Sequence, residues 1–242
     1  MLVTAIDEAF FPALVALHNS IRCHSPGTPL ACLTYGPQSL ADKVAARGIE
    51  VRHNVDVGAY LPAGEGTEAG CQPMYARLLA PLLFGDCVWL DADQVVLRDM
   101  RPLCDLLFKQ PVAAVPCYLN DIAKSVIGMA NPPKGDSLYS GLMAYNAREY
   151  KRRQVTEQCL RLMNEAKSSG IVYRFVVQSV LSVVLADDFC RLDERWQGFA
   201  NRCDVHPEEW WVLHWHGRKR KPWNTPSMPN RDIWRKYACM YS

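Results

Sequence analysis

The 242-residue chain contains no run of about 18 consecutive apolar residues, so nothing in it has the length of a membrane-crossing helix. Its N-terminal stretch carries Asp7 and Glu8 and no basic leader, which is unlike a signal peptide. An excess of either charge is missing: 27 Lys and Arg against 25 Asp and Glu leave a formal net charge of +2. That balance offers no broad attraction to nucleic acid, so any basic function must be local. No C-x-x-C pair occurs, although 10 cysteines are scattered from Cys23 to Cys239. Scattered thiols argue against a disulfide framework and a structural zinc site, and for a reduced, cytoplasmic setting. No G-x-x-x-x-G-K-[ST] appears, which removes P-loop nucleotide chemistry.

What is present is alternation. Short β-rich runs at 2–6, 29–35, 49–53, 87–91, 112–118 and 140–146 are interleaved with helical spacing at 10–21, 38–47, 72–84, 147–167 and 174–186. With 49% hydrophobic residues, this pattern predicts an α/β protein: a single domain on a mostly parallel central sheet. Pro73 suits the first turn of its helix, whereas Pro81 should kink or end it. Residues 54–71 and 119–137 read as loops.

The stretch CVWLDADQVVLRD (87–99) ends an apolar run in Asp91 and Asp93, separated by Ala92. Burying two unpaired carboxylates costs several kcal/mol, so they either face solvent or share a cation. Alternate residues of an extended segment point the same way, and strand ends of open α/β sheets collect ligands. Hard oxygen ligands suit Mg²⁺ or Mn²⁺ together with substrate phosphates. If the two merely repel each other, removing one should leave metal-free stability unchanged or raised. Two phosphate chemistries remain open on the pair alone. A haloacid-dehalogenase-like phosphatase would use Asp91 as nucleophile and Asp187–Asp188 as a later acidic motif, and a nucleotide-sugar transferase would place a metal on a leaving diphosphate.

Further motifs favour the second. MYARLLAPLLF, VWLDADQVVLRDMRPL, YSGLMAYN and HWHGRKRKPWN, taken in order, resemble glycosyltransferase family 8, the glycogenin and bacterial galactosyl- and glucosyltransferase group. The resemblance runs from residue 1 to about 224 and implies a single A-type glycosyltransferase domain spanning residues 1–242. Its nucleotide-binding half would be 1–118, its donor and acceptor half 119–230, and 231–242 a tail. It further implies Mn²⁺- or Mg²⁺-dependent, anomer-retaining transfer from a UDP-sugar to a glycan or glycoconjugate, with no nucleic-acid partner. By position, Ala5 and Asp7 would line the base pocket. Asp91 and Asp93, flanking Ala92, would hold the metal with His214, and His216 is the rival ligand. Gly217 and Lys221 would grip the diphosphate. Arg77, Ser140 and Gly141 would lie on the donor side, with Gln178 near the reacting sugar carbon and Arg77 beside it in catalysis. Val177 and Tyr139 stand where the family usually has aspartate and asparagine, which leaves a catalytically silent binding relative as a further reading. An apolar Val177 would favour a donor sugar with a methyl, an acetamido group or a missing hydroxyl.

Two segments have competing readings. Arg77 belongs either to the wet side of an apolar helix or to the site. The run RDIWRKYACMYS (231–242) mixes basic and aromatic residues as an interfacial segment does, which predicts a weak peripheral membrane contact.

Overall fold

The computed structural model describes residues 1–56, 72–202, 205–217 and 220–240. Its contacts gather the chain into two units. The first comprises Met1–Val55, Val88–Leu106 and Asp193–Ser242; the second comprises Asp56–Cys87 and Leu107–Leu192.

In the first unit, the strand Leu2–Ile6 is buried at every position, as expected of an apolar run covered on both faces. It pairs in parallel with Leu30–Thr34 on one side and with Cys87–Leu90 on the other. Leu30–Thr34 pairs in parallel with Glu50–His53. Parallel neighbours need crossovers, and the helices Phe11–His24 and Gln38–Ala45 supply them. A separate three-stranded sheet runs in the order Gly198–Phe199, Val212–His214, Gln94–Val96. Strands of two or three residues cannot display a period, so the sequence pattern does not announce them. Val95, Leu213, Trp215, Trp234 and Tyr237 meet in one core cluster here.

That cluster overturns the membrane reading of the C-terminal run. In the helix Arg231–Ala238, Trp234 and Tyr237 are buried and Ile233 packs against them, so the aromatic face lies inside the protein. Asn19 Nδ2 donates to Tyr237 O at 2.8 Å and to Met240 O at 2.7 Å, tying the segment to the helix Phe11–His24. Among the described residues, no helix is long and apolar enough to cross a membrane.

In the second unit, Val112–Asp121 pairs antiparallel with Asp136–Tyr145 and parallel with Cys190–Arg191. Parallel pairing thus predominates among the described strand pairs, as the alternation predicted, and this long antiparallel pair is joined by two short ones, Val212–His214 with Gln94–Val96 and Val126–Ile127 with Val172–Tyr173. The region expected to be a loop from 119 to 137 is more ordered than that. Strand structure continues to Asp121, whose side chain caps Ile122–Ser125 by accepting from Lys124 N at 2.7 Å. Val126–Ile127 then pairs with Val172–Tyr173. The other expected loop falls largely on 57–71, outside the described residues.

Pro81 neither ends nor breaks the helix Gln72–Phe84. A proline has no N–H for the carbonyl four residues back, which is that of Arg77. Tyr145 fills the gap, its hydroxyl donating to Arg77 O at 2.8 Å. The segment expected as one helix over 147–167 is two, Ala147–Arg152 and Val155–Ser169, divided where Gln154 takes a φ of 51°.

Candidate active site

Asp91 and Asp93 follow the carboxyl end of the strand Cys87–Leu90. Trp89 fixes the first of them: its indole N–H donates to Asp91 Oδ1 at 2.8 Å. The second is fixed by sheet register. Val212–His214 runs antiparallel to Gln94–Val96 with His214 opposite Gln94, so the imidazole arrives beside Asp93. His214 Nε2 lies 3.1 Å from Asp93 Oδ1 and 3.8 Å from Asp91 Oδ2. Ligand atoms of Asp91, Asp93 and His214 all fall within 4.8 Å of one another. Ala92, between the carboxylates, is buried.

Lys221 closes the group. Its ammonium donates to Asp93 Oδ2 and to Trp215 O, the latter at 2.6 Å, and lies 5.6 Å from the centre of the Phe10 ring. Only 2% of this lysine is exposed, so it does not belong to a solvated basic loop. Trp215 works in both directions, since its own N–H donates to Asp93 O at 3.1 Å. Burial works against ionisation of Asp93, but His214 and Lys221 outweigh it and hold the carboxyl well below the usual carboxylate range.

This donor set fits a hard divalent cation: two carboxylates and one imidazole, with a further cationic side chain at hand. A ligating histidine usually has its second ring nitrogen held by another group. Here Gln197 Nε2 lies 2.8 Å from His214 Nδ1. No sequence pattern marks Gln197, because its partner is 17 residues away and no motif links them. His216 is exposed and turned to Phe199, with ring centres 5.1 Å apart, and the three-residue ligand group does not include it.

The remaining expected residues of this unit are near the same strands. Ala5 is buried at the end of Leu2–Ile6. Asp7 caps the short helix Glu8–Phe10, accepting from Phe10 N at 3.2 Å. Phe10 in turn meets Trp223 edge-on at 5.3 Å. Gly217 has a φ of 97°, a conformation that side chains disfavour, just before the basic run. Arg218 and Lys219 lie outside the described residues.

In the second unit, Arg77 is 8% exposed, which removes the reading of a wet-side arginine. It donates from Nε to Met74 O at 2.9 Å, and from Nη1 to Ser140 O at 2.9 Å and Ser140 Oγ at 2.6 Å. Ser140 N donates to Gln178 Oε1 at 3.4 Å, so Arg77, Ser140 and Gln178 form one connected set. Gly141 is buried next to Ser140 in the strand Asp136–Tyr145. Gln178 opens the helix Val177–Leu185, and the residue before that helix, Val176, has φ 40° and ψ −106°. A β-branched residue at positive φ is strained, and such strain gathers at functional positions. Val177 itself is 1% exposed, leaving no surface against which a donor sugar could be selected. Asp187 and Asp188, the acidic pair a phosphatase would need, are each engaged by an arginine, at 2.6 Å from Arg191 and 2.5 Å from Arg153.

Residues 64–226 match the family described as Glycosyl transferase family 8. The chain belongs to that family. Glycosyltransferase 8 domain-containing protein 2 of Homo sapiens is 24% identical over 204 residues, covering 69% of this chain and 58% of that protein. The chain therefore spans less than two-thirds of that relative's length. An active-site mutant of LgtC superposes with a TM-score of 0.74 at 18% identity, over 98% of this chain and 94% of that one. GlyE of Streptococcus pneumoniae TIGR4 gives 0.71 at 17% identity, over 99% of this chain and 60% of that one. At such identities the likeness is one of fold, the A-type, Rossmann-like fold that family 8 membership implies.

Proposed function

We propose that this family 8 chain transfers a sugar from a UDP-sugar to a hydroxyl of a glycan or glycoconjugate, with metal dependence and retention at the anomeric carbon. The observation that carries the reading is the convergence of Asp91, Asp93 and His214 with Lys221 beside them. Further support comes from the likeness to LgtC, a galactosyltransferase solved with donor and acceptor sugar analogs, at a TM-score of 0.71 and 19% identity over 98% of this chain and 94% of that one.

Asp91, Asp93 and His214 would hold Mn²⁺ or Mg²⁺, which when bound supplies Lewis-acid stabilisation of the departing diphosphate. The rest falls to the chain's own groups. Lys221 exchanges its single carboxylate partner for diphosphate oxygens, whose charge grows as the glycosidic bond breaks, so its contribution is larger in the transition state. Ala5 lines the base pocket, and Asp7 has a second carboxylate oxygen, free of the cap, to accept from base or ribose. Gln178 offers its amide to the donor sugar, and Arg77 acts through Ser140 as the brace that sets it. Retention follows from attack on the face the diphosphate leaves. The acceptor oxygen bonds to the anomeric carbon, the bond to the diphosphate oxygen breaks, and the acceptor proton passes to the diphosphate.

The test is nucleoside-diphosphate release across a panel of nucleotide sugars and acceptor glycans, with Mn²⁺ or with chelator. Release of UDP that needs Mn²⁺ and is lost in Asp93→Asn supports the reading. Turnover that survives chelation would oppose it.

A further inference from the structure

Gln197 is buried to 3% exposure, and its side-chain nitrogen can only donate, so His214 Nδ1, 2.8 Å away, must accept. The proton of the neutral ring then sits on Nε2, the atom facing Asp93 Oδ1 at 3.1 Å. A cation at the same point needs the opposite tautomer, with a lone pair on Nε2 and the proton on Nδ1. Turning the Gln197 amide end for end provides it, because Oε1 would then accept from Nδ1–H. Oε1 is buried and has no partner at present, so the turn breaks no other bond at that atom. One end of the amide faces no partner in either orientation, so the turn leaves the amide with one bond to the ring each time, and the choice falls to Nε2, where a proton meets Asp93 and a lone pair needs a cation.

The backbone around Gln197 keeps the amide against the ring in both. Its N–H donates to Glu194 O at 2.9 Å, closing the short helix Glu194–Trp196. The next residue, Gly198, pairs with Leu213. A Cβ on Gly198 would meet Leu213 Cδ2 and Trp210 Cγ, each at 2.7 Å, so only glycine lets this strand lie close enough to seat Gln197 on His214.

We infer that Gln197 is a positioning residue that reverses its amide to set the tautomer of His214, with His214 donating to Asp93 in the metal-free protein and ligating once a cation arrives. The inference rests on the metal-dependent reading of the site. It makes the second partner of His214 neutral and reversible, where a carboxylate would fix one tautomer permanently.

The experiment uses the full chain and two readouts. Long-range ¹H–¹⁵N spectra of the His214 imidazole should report protonated Nε2 in the metal-free wild type and protonated Nδ1 after addition of Mg²⁺ with UDP. Calorimetry with Mn²⁺ in the presence of UDP should give an affinity about 10–100-fold lower for Gln197→Leu than for wild type. Gln197→Glu, whose carboxylate can only accept, should show protonated Nδ1 without metal and bind Mn²⁺ at least as tightly as wild type. An unchanged Gln197→Leu affinity, or protonated Nδ1 in the metal-free wild type, overturns this inference alone. A wild type that binds no Mn²⁺ with UDP overturns the functional reading as well.

Discussion

Lys221 and Asp93 are bound to each other inside the site, the ammonium on Oδ2 while His214 Nε2 faces Oδ1. Both oxygens of the carboxylate expected to ligate a metal are thus already engaged. A cation entering here competes with a lysine of the same protein, and a diphosphate entering with it gives that lysine somewhere to go.

Replacing Lys221 with methionine should therefore act in opposite directions on the two ligands. Mn²⁺ alone should bind more tightly, because its competitor for Asp93 is gone. UDP in the presence of Mn²⁺ should bind about 10–100-fold more weakly, since a charge-assisted hydrogen bond contributes ~1.5–3 kcal/mol. Calorimetry with each ligand separates the effects, and a parallel loss of both would place Lys221 among the supports of the metal site.

Asp93→Asn should destabilise the metal-free protein, by about 3–5 kcal/mol if Lys221 stays buried and unpaired. Two repelling carboxylates, as the sequence suggests them, predict unchanged or raised stability instead. Denaturant unfolding in chelator distinguishes the two, and an unfolding midpoint equal to wild type would favour simple repulsion.

His18 gives a pH dependence away from the site. Burial, with Arg47 and Arg22 nearby, brings its pKa down from 6.5 to about 4. The folded protein thus disfavours the charged ring, so its contribution is complete above the unfolded value of 6.5 and is lost as pH falls towards 4. Stability should drop by up to roughly 3 kcal/mol across that span from this group. The stability difference between wild type and His18→Gln, followed by unfolding from pH 7 to 4, should move in favour of the mutant as pH falls. A constant difference would contradict the shift.

Val176→Gly should stabilise the fold. Relief of strain is worth ~1–3 kcal/mol, against ~0.4–1 kcal/mol of added unfolded-state entropy. We expect a net gain of about 1 kcal/mol after loss of the half-buried side chain, together with lower turnover because the start of the Gln178 helix loosens. Thermal unfolding and kcat measured on the same preparation check both halves.

The alternating α/β architecture was legible because its main strands and helices are long enough to show their periods. Asp91, Asp93 and His214 were legible as a motif, since D-x-D and the histidine-glycine spacing are fixed along the chain. Their partners were not. Gln197 on His214 and the ammonium of Lys221 on Asp93 are set by strand register and by packing across 17 and 128 residues of chain, and Trp89, although only two residues from Asp91, belongs to no motif that marks its contact. Val177 misled for a related reason: its place beside Gln178 says nothing of which way the first turn of the helix points, and it points into the core. The tail misled because an aromatic, basic helix has the same composition whether its apolar face meets a membrane or another helix.

On the proposed function, Asp91, Asp93 and His214 join a divalent cation to a nucleotide diphosphate. Titration of UDP into the protein by calorimetry, with Mn²⁺ and then with chelator, tests it most directly. We expect saturable binding at one site with Mn²⁺, at least tenfold weaker binding with chelator, and loss of the Mn²⁺ effect in His214→Ala but not in His216→Ala. Equal UDP affinity with and without Mn²⁺ would contradict it.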